Sequence, residues 1–264
     1  MAIPSVLSIA GSDSCGGAGL QADVKTATAL GVYAQTAVTA LTAQNTFGVQ
    51  GIFSVPPSFV EEQIDAVFAD MRPDGVKVGM VGSPEVVCAI AQRLSAHDAK
   101  NVVVDPVLVA TAGDALATDG VADALVRHLF PLASVITPNI PEAQVLTGQT
   151  IASKEDMVRC AQRLAELTAG AVLLKGGHLT GSADDLLVDA AGRQWWFTGQ
   201  LYDTHNTHGT GCTLSTAVAC GLAAGKDLPD AVAAAKDYVA GAIAHNPNMG
   251  KGVTGPLNHM WMQG

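Results

Sequence analysis

Apolar and polar positions along this chain fall into blocks that alternate between two spacings. Short continuous apolar runs stand at 5–11 (SVLSIAG), 74–82 (DGVKVGMVG), 101–108 (NVVVDPVL), 133–139 (ASVITPN) and 171–178 (AVLLKGGH). Runs of this length, rich in β-branched residues, predict strands covered on both faces. AQTAVTALTAQ (34–44) and GVQGIFSVPP (48–57) are further strand candidates, and DDLLVDAAGRQWWFTGQ (184–200) reads as a hairpin turning at Ala-Gly. Helical spacing fills the gaps: 17–31, 58–71, 83–97, 122–130, 140–148, 153–170, and two closing helices in CTLSTAVACGLAAG and LPDAVAAAKDYVAGAIAHN. In 58–71, Phe59, Ile64, Val67 and Phe68 are the expected inner face. Ser83-Pro84 supplies an N-cap and a first-turn proline.

Strand-helix units with one late hairpin predict an α/β fold, a mainly parallel central sheet flanked by helices. No linker, low-complexity segment or internal repeat interrupts the 264 residues, so a single domain over 1–264 is expected. Composition narrows the picture. Hydrophobic residues make up 48% of the chain and aromatic ones only 5%, which suits small residues packed between helices and sheet. The formal net charge of −10 argues against nucleic acid and anionic membranes as partners. Five cysteines without a C-x-x-C pair argue against a disulfide framework and for a reducing compartment. No run is long enough to span a bilayer and the first residues lack a secretory pattern, so a cytoplasmic protein is expected.

Ligands of such sheets bind at the carboxyl ends of the strands, and five segments there carry candidate chemistry. IAGSDSCGGAGLQAD (9–23) crowds Gly16, Gly17 and Gly19 between Asp13 and Asp23; it matches neither a Walker loop nor the dinucleotide fingerprint. Its glycines either close a turn or admit a ligand. VVVDPVL ends a strand on Asp105, a metal or water ligand or a turn cap. In ITPNIPEAQVLTG, Asn139 and Glu142 are three apart, a spacing for Mg²⁺ binding through water or for a capping box. LLKGGH ends a strand on Lys175, which can meet a phosphate as a point charge. THGTGCT (207–213) places Gly209, Thr210, Gly211 and Cys212 where a loop becomes a helix, the outline of an anion hole. His205 and His208 orient or cap that loop, and Lys236 in the last helix either reaches a phosphate or, the preferred reading, is a surface lysine.

Together, IAGSDSCGGAGLQAD, VVVDPV, TPNIPEAQVLTG, LLKGGH and THGTGCTLS resemble, in this order and nearly end to end, the hydroxymethylpyrimidine/phosphomethylpyrimidine kinases of thiamin biosynthesis in the ribokinase-like superfamily. The resemblance implies a three-layer sandwich, usually a homodimer. It implies ATP- and Mg²⁺-dependent phosphorylation of 4-amino-5-hydroxymethyl-2-methylpyrimidine, and then of its monophosphate to the diphosphate. It implies that Gln44 hydrogen-bonds the pyrimidine and that Asp23, Gly11, Met80 and Val107 line its pocket. Asp105, Asn139 and Glu142 match the metal and phosphate region, Lys175 a lysine by the transferred phosphates, and Gly209 to Cys212 the anion hole.

Related sugar kinases have an aspartate as general base where this chain has Cys212. A thiol with an ordinary pKa of about 8.5, lowered by the helix start, is the expected base. A phosphocysteine intermediate and a purely packing role, with only the amide at work, are the alternatives. Two departures from the family pattern stand out: Cys15 replaces a usual serine, and Thr111-Ala112 replaces a common Lys-Ser pair. Pyridoxal kinase, also acting on a ring with a hydroxymethyl group, is the nearest rival function. A non-catalytic pyrimidine-binding sensor is the rival of another class.

Overall fold

A computed structural model describes residues 3–108, 118–177, 179 and 183–263. Among them the strands form one nine-stranded sheet of order β3-β2-β1-β4-β5-β6-β7-β8-β9. The strands are β1 (Ser5–Asp13), β2 (Tyr33–Asn45), β3 (Gly48–Ser54), β4 (Gly75–Val78), β5 (Val102–Val104), β6 (Val135–Ile136), β7 (Ala171–Leu174), β8 (Asp185–Val188) and β9 (Gln194–Phe197). The helices are α1 (Gly19–Ala29), α2 (Pro57–Asp70), α3 (Pro84–Ala96), α4 (Val121–Ala124), α5 (Ile140–Thr147), α6 (Lys154–Ala165), α7 (Thr210–Ala223) and α8 (Leu228–Ala244). After α4 the chain continues through a wider π turn, Leu125–Leu129.

The strands from β2 through β7 pair in parallel, and the edges are antiparallel at both ends: β3 on β2, then β8 on β7 and β9 on β8. The late hairpin was expected; the antiparallel pairing of β2 with β3 was not. Successive residues of the central strands serve opposite faces, as the period of two requires. Val102 and Val104 join the core under α2, α3 and α6, while Val103 joins the core under α7 and α8. Each of these side chains, fully buried, contributes roughly 1.5–3 kcal/mol. That is why the short apolar runs are near-continuous rather than alternating.

The helix starts follow local chemistry. Ser83 caps α3, its Oγ accepting from Val86 N. In α2 the inner stripe is Val60, Ile64 and Phe68, spaced by four. Phe59 is 53% exposed, against expectation, because its neighbour Val60 takes the inward position. Val67 packs half-buried at the edge of the core. The five cysteines are free thiols, and no described helix is long and apolar enough to cross a membrane.

Candidate active site

The carboxyl ends of β1, β2, β5 and β7 and the start of α7 enclose a cavity of ≈ 730 Å³. Its charged end is built around Asp105, which follows β5 and is buried. Asp105 Oδ1 accepts from Lys175 Nζ at 2.8 Å and Thr137 Oγ1 at 2.9 Å, and Oδ2 from Ser215 Oγ at 3.3 Å. Burial alone would raise its pKa, but the ammonium groups of Lys175 and Lys77 hold it below the usual carboxylate range. Burial would likewise neutralise Lys175; Asp105 and Glu142 outweigh it and keep the ammonium charged.

Asn139 and Glu142 form a complete capping box on α5: Glu142 N donates to Asn139 Oδ1 and Asn139 N to Glu142 Oε2, each at 2.8 Å. Both residues also line the cavity, so capping and site readings coexist. Burial, reinforced by the nearby Asp105 carboxylate, pushes Glu142 up to about 7. Two hard carboxylates, one of them strained by the other's charge, are a donor set that fits a divalent cation.

The start of α7 is different. Gly209 precedes it at φ +87, and no side chain caps the helix. A Cβ on Gly209 would lie 1.9 Å from Gly17 O, so only glycine lets the two loops touch. The first helical bond is Thr213 N to Gly209 O, which leaves the Gly211 and Cys212 amides ahead of the ladder. Thr210 turns its hydroxyl back onto Thr207 O at 2.7 Å and offers the cavity mainly backbone. Lys175 Nζ lies 3.3 Å from where a Gly211 side chain would begin. An ammonium, free amides and a helix dipole thus converge on one spot, which suits a phosphate.

Cys212 is half-buried beside this spot. Burial pushes its thiol up to about 11; Asp23 and Asp105 add to the rise, while Lys77 and the Gly19 N–H oppose it. The expectation that the helix start lowers this pKa is corrected: desolvation outweighs the Lys77 ammonium and the Gly19 N–H.

The same cavity is also lined by Gly11, Gln44, Met80 and Val107. A side chain on Gly11 would push on Met80, whose Sδ would lie 2.8 Å from its Cβ. Gln44 is fixed through its backbone, which donates to Ser14 Oγ at 2.9 Å and accepts from it at 2.8 Å.

Residues 13–258 match the phosphomethylpyrimidine kinase family. The chain belongs to that family. It is 50% identical over 257 residues to hydroxymethylpyrimidine/phosphomethylpyrimidine kinase of Rhizobium meliloti, covering 96% of each chain. It is 51% identical to thiamine biosynthesis bifunctional protein ThiED of Geobacter sulfurreducens; 97% of this chain aligns, spanning about half of that longer protein, 52%. Among solved structures it is similar to a pyridoxal kinase from Staphylococcus aureus in complex with AMP-PCP and pyridoxal, with TM-score 0.90, 33% identity and coverage of 100% of this chain and 96% of that one. The α/β sandwich is therefore the fold of this kinase family and of its vitamin-kinase neighbours.

Against that family pattern, one expected pocket residue is displaced. Asp23 does not line the cavity; it is buried beneath it. Its carboxylate accepts from Lys77 Nζ at 2.8 Å, Thr216 Oγ1 at 2.7 Å and Ser8 Oγ. Every other expected site residue borders the one cavity. Lys236 is no surface lysine: Nζ donates to Asp185 Oδ2 at 2.6 Å and Ala183 O at 2.7 Å at the cavity wall. Cys15 is exposed, with Sγ 3.4 Å from Oδ2 of the lining residue Asp13, and does not itself line the cavity. Thr111-Ala112 lies outside the described residues. Lys77 was missed altogether, although a lone charge inside the apolar run GVKVGMVG signals a buried partner.

Proposed function

We propose that this kinase transfers the γ-phosphoryl group of ATP to 4-amino-5-hydroxymethyl-2-methylpyrimidine and then phosphorylates the monophosphate. The carrying observation is one cavity with a phosphate-suited end, Lys175 with the α7 amides, and a ring-suited end at Gln44. The name of the relative at 50% identity supports the pyrimidine, and the thiamine-biosynthesis name of the one at 51% agrees with it, whereas pyridoxal goes with a likeness of 33%.

Phosphoryl transfer asks mainly for positioning and charge neutralisation. Mg²⁺, when bound by Asp105 and Glu142, would neutralise charge on the ATP phosphates. Lys175, held charged by Asp105, and the Gly211 and Cys212 amides stabilise charge on the transferred group. Gln44 and the apolar faces of Met80 and Val107 hold the ring. Cys212 accepts the proton of the attacking alcohol in the first step. In the second step the nucleophile is already an anionic phosphate and needs no base.

The thiol of Cys212, pushed up to about 11, is protonated at neutral pH, and its thiolate fraction grows as pH rises. For the first step, kcat/KM should therefore climb by about tenfold per unit between pH 6 and 9. The second step should stay nearly flat above pH 7. Cys212→Ala should abolish the climb and slow the first step more than the second. Equal loss in both steps, with unchanged pH profiles, would reduce Cys212 to its backbone amide.

We also read the described sheet and its two helical layers as one catalytic domain that pairs as a homodimer. The edge hairpin supports the pairing, since Leu41, Phe47, Ile52 and Phe53 are exposed on it. Sedimentation velocity should give a dimer; a monomer at all concentrations rejects it.

A further inference from the structure

His208 and Asp13 are buried next to the ring-suited end of the cavity, and the reaction as derived uses neither. His208 Nε2 lies 2.9 Å from Asp13 Oδ2 and 3.3 Å from the Gln44 side-chain amide. On its other flank the Gln44 amide lies 3.2 Å from Thr42 Oγ1. Both neighbours have a fixed hydrogen-bonding sense. The Asp13 carboxylate also accepts from the amides of Cys15, Gly17 and Ala18. Burial pushes Asp13 up, but the hydrogen bonds from His208 and Ala18 prevail and hold it at about 2, so it is ionised and can only accept. The His208 Nε2 must then carry its single hydrogen, directed at Asp13 Oδ2, and with no lone pair left on Nε2 the Gln44 amide at 3.3 Å can share that hydrogen only as an acceptor. Thr42 Oγ1 gives its single proton to Ser12 O at 2.9 Å, so toward Gln44 it has only lone pairs.

Oxygen and nitrogen of a glutamine amide have nearly the same shape, and the hydrogen-bond network decides which is which. A donor on the His208 side and an acceptor on the Thr42 side demand the Gln44 oxygen at His208 and the nitrogen at Thr42. Exchanging oxygen and nitrogen keeps the shape of the amide, whose two ends lie 3.3 Å from His208 Nε2 and 3.2 Å from Thr42 Oγ1, and pairs donor with acceptor at both. We infer that His208, braced by Asp13, and Thr42 are positioning residues that lock the Gln44 amide with its oxygen toward His208, and so select a ring bearing an amino donor beside a ring-nitrogen acceptor. This rests on the reading of Gln44 as the ring contact.

The locked amide also sets which way round the ring binds. Its oxygen takes the exocyclic amino group, which falls on the His208 side; its nitrogen gives a hydrogen to the ring nitrogen on the Thr42 side. In the 4-amino-5-hydroxymethyl ring, the carbon bearing the hydroxymethyl adjoins the one bearing the amino group. The hydroxymethyl is therefore turned toward Gly209–Cys212, the residues that follow His208 in sequence. With the amide reversed, the ring would bind turned over and the alcohol would face Thr42.

The test compares the aminopyrimidine with its analogue lacking the exocyclic amino group, at saturating ATP. His208→Leu and Thr42→Val should each lower kcat/KM for the aminopyrimidine by about tenfold, the size of one lost buried hydrogen bond. The loss should be less than about twofold for the desamino analogue, so discrimination falls. His208→Gln and Thr42→Ser, which keep a donor and an acceptor, should recover most of it. In a Gln44→Ala background, His208→Leu and Thr42→Val should add no further loss.

Equal loss on both substrates, or full additivity with Gln44→Ala, overturns the inference by making His208 and Thr42 general loop supports, and leaves the Gln44 reading intact. If Gln44→Ala alone leaves discrimination unchanged, the Gln44 reading fails and the inference falls with it.

Discussion

Two helix starts border the same cavity and are finished in opposite ways. At α5, Asn139 and Glu142 answer each other's backbone amides and Pro141 presets the first turn. At α7, Gly209 sits in the left-handed region with no side-chain cap, and the nearest charge is Lys175. The first helix start spends its donors on itself and projects a carboxylate. The second leaves its donors ahead of the ladder, open to an acceptor from the cavity. The contrast shows how similar segments can present a carboxylate and unpaired amides to one cavity, by changing only who satisfies the first amides.

The α7 side of the comparison depends on the buried Lys77–Asp23 pair, which ties β4 to α1 and, through Thr216, to α7. Lys77→Met should destabilise the protein by about 3–5 kcal/mol, because Asp23 is left charged and unpaired. Urea unfolding, followed as one cooperative transition, measures it, and adding Asp23→Asn should restore much of the loss. A cost under about 1 kcal/mol would mean the pair does not anchor the α7 start. Gly209→Ala comes next. Its side chain must push Gly17 O away and disturb the converging amides, so turnover should fall by about 100-fold. Normal turnover would show that the open start is not used. Asn139→Ala should have the smallest effect, about 1 kcal/mol in stability from the lost cap, with turnover reduced far less than in Gly209→Ala. If the two variants lose turnover equally, the two helix starts do not differ in kind.

Much of this arrangement was legible in the chain itself. Near-continuous apolar runs marked the central strands because both faces of each are covered. Asp105, Asn139, Glu142, Lys175 and Gly209 were legible because each follows a strand or opens a helix, a position with little structural freedom. What escaped depended on partners far away in sequence. Asp23 looked like a pocket residue until Lys77, Ser8 and Thr216 closed over it. Lys236 looked solvated until Asp185 came across from β8. The pairing of β2 with β3 was hidden because Thr46-Phe47 between them is not a strong turn signal. The Cys212 thiol was misjudged because a helix start is a local cue, whereas desolvation is set by everything packed around the sulfur.

The contact between Gly17 and Gly209 has a consequence for how the enzyme comes into being. Asp13 and His208, separated by 195 positions, meet at the same place, as do Asp23 and Thr216, separated by 193. Contacts of such long sequence separation carry a large loop-closure cost and tend to form late. On the ribosome, the early segments can settle into sheet and helices while the α7 wall of the cavity still does not exist. The nascent protein therefore acquires its shape before its activity, and switches on only when the α7 segment emerges and docks against the first loop.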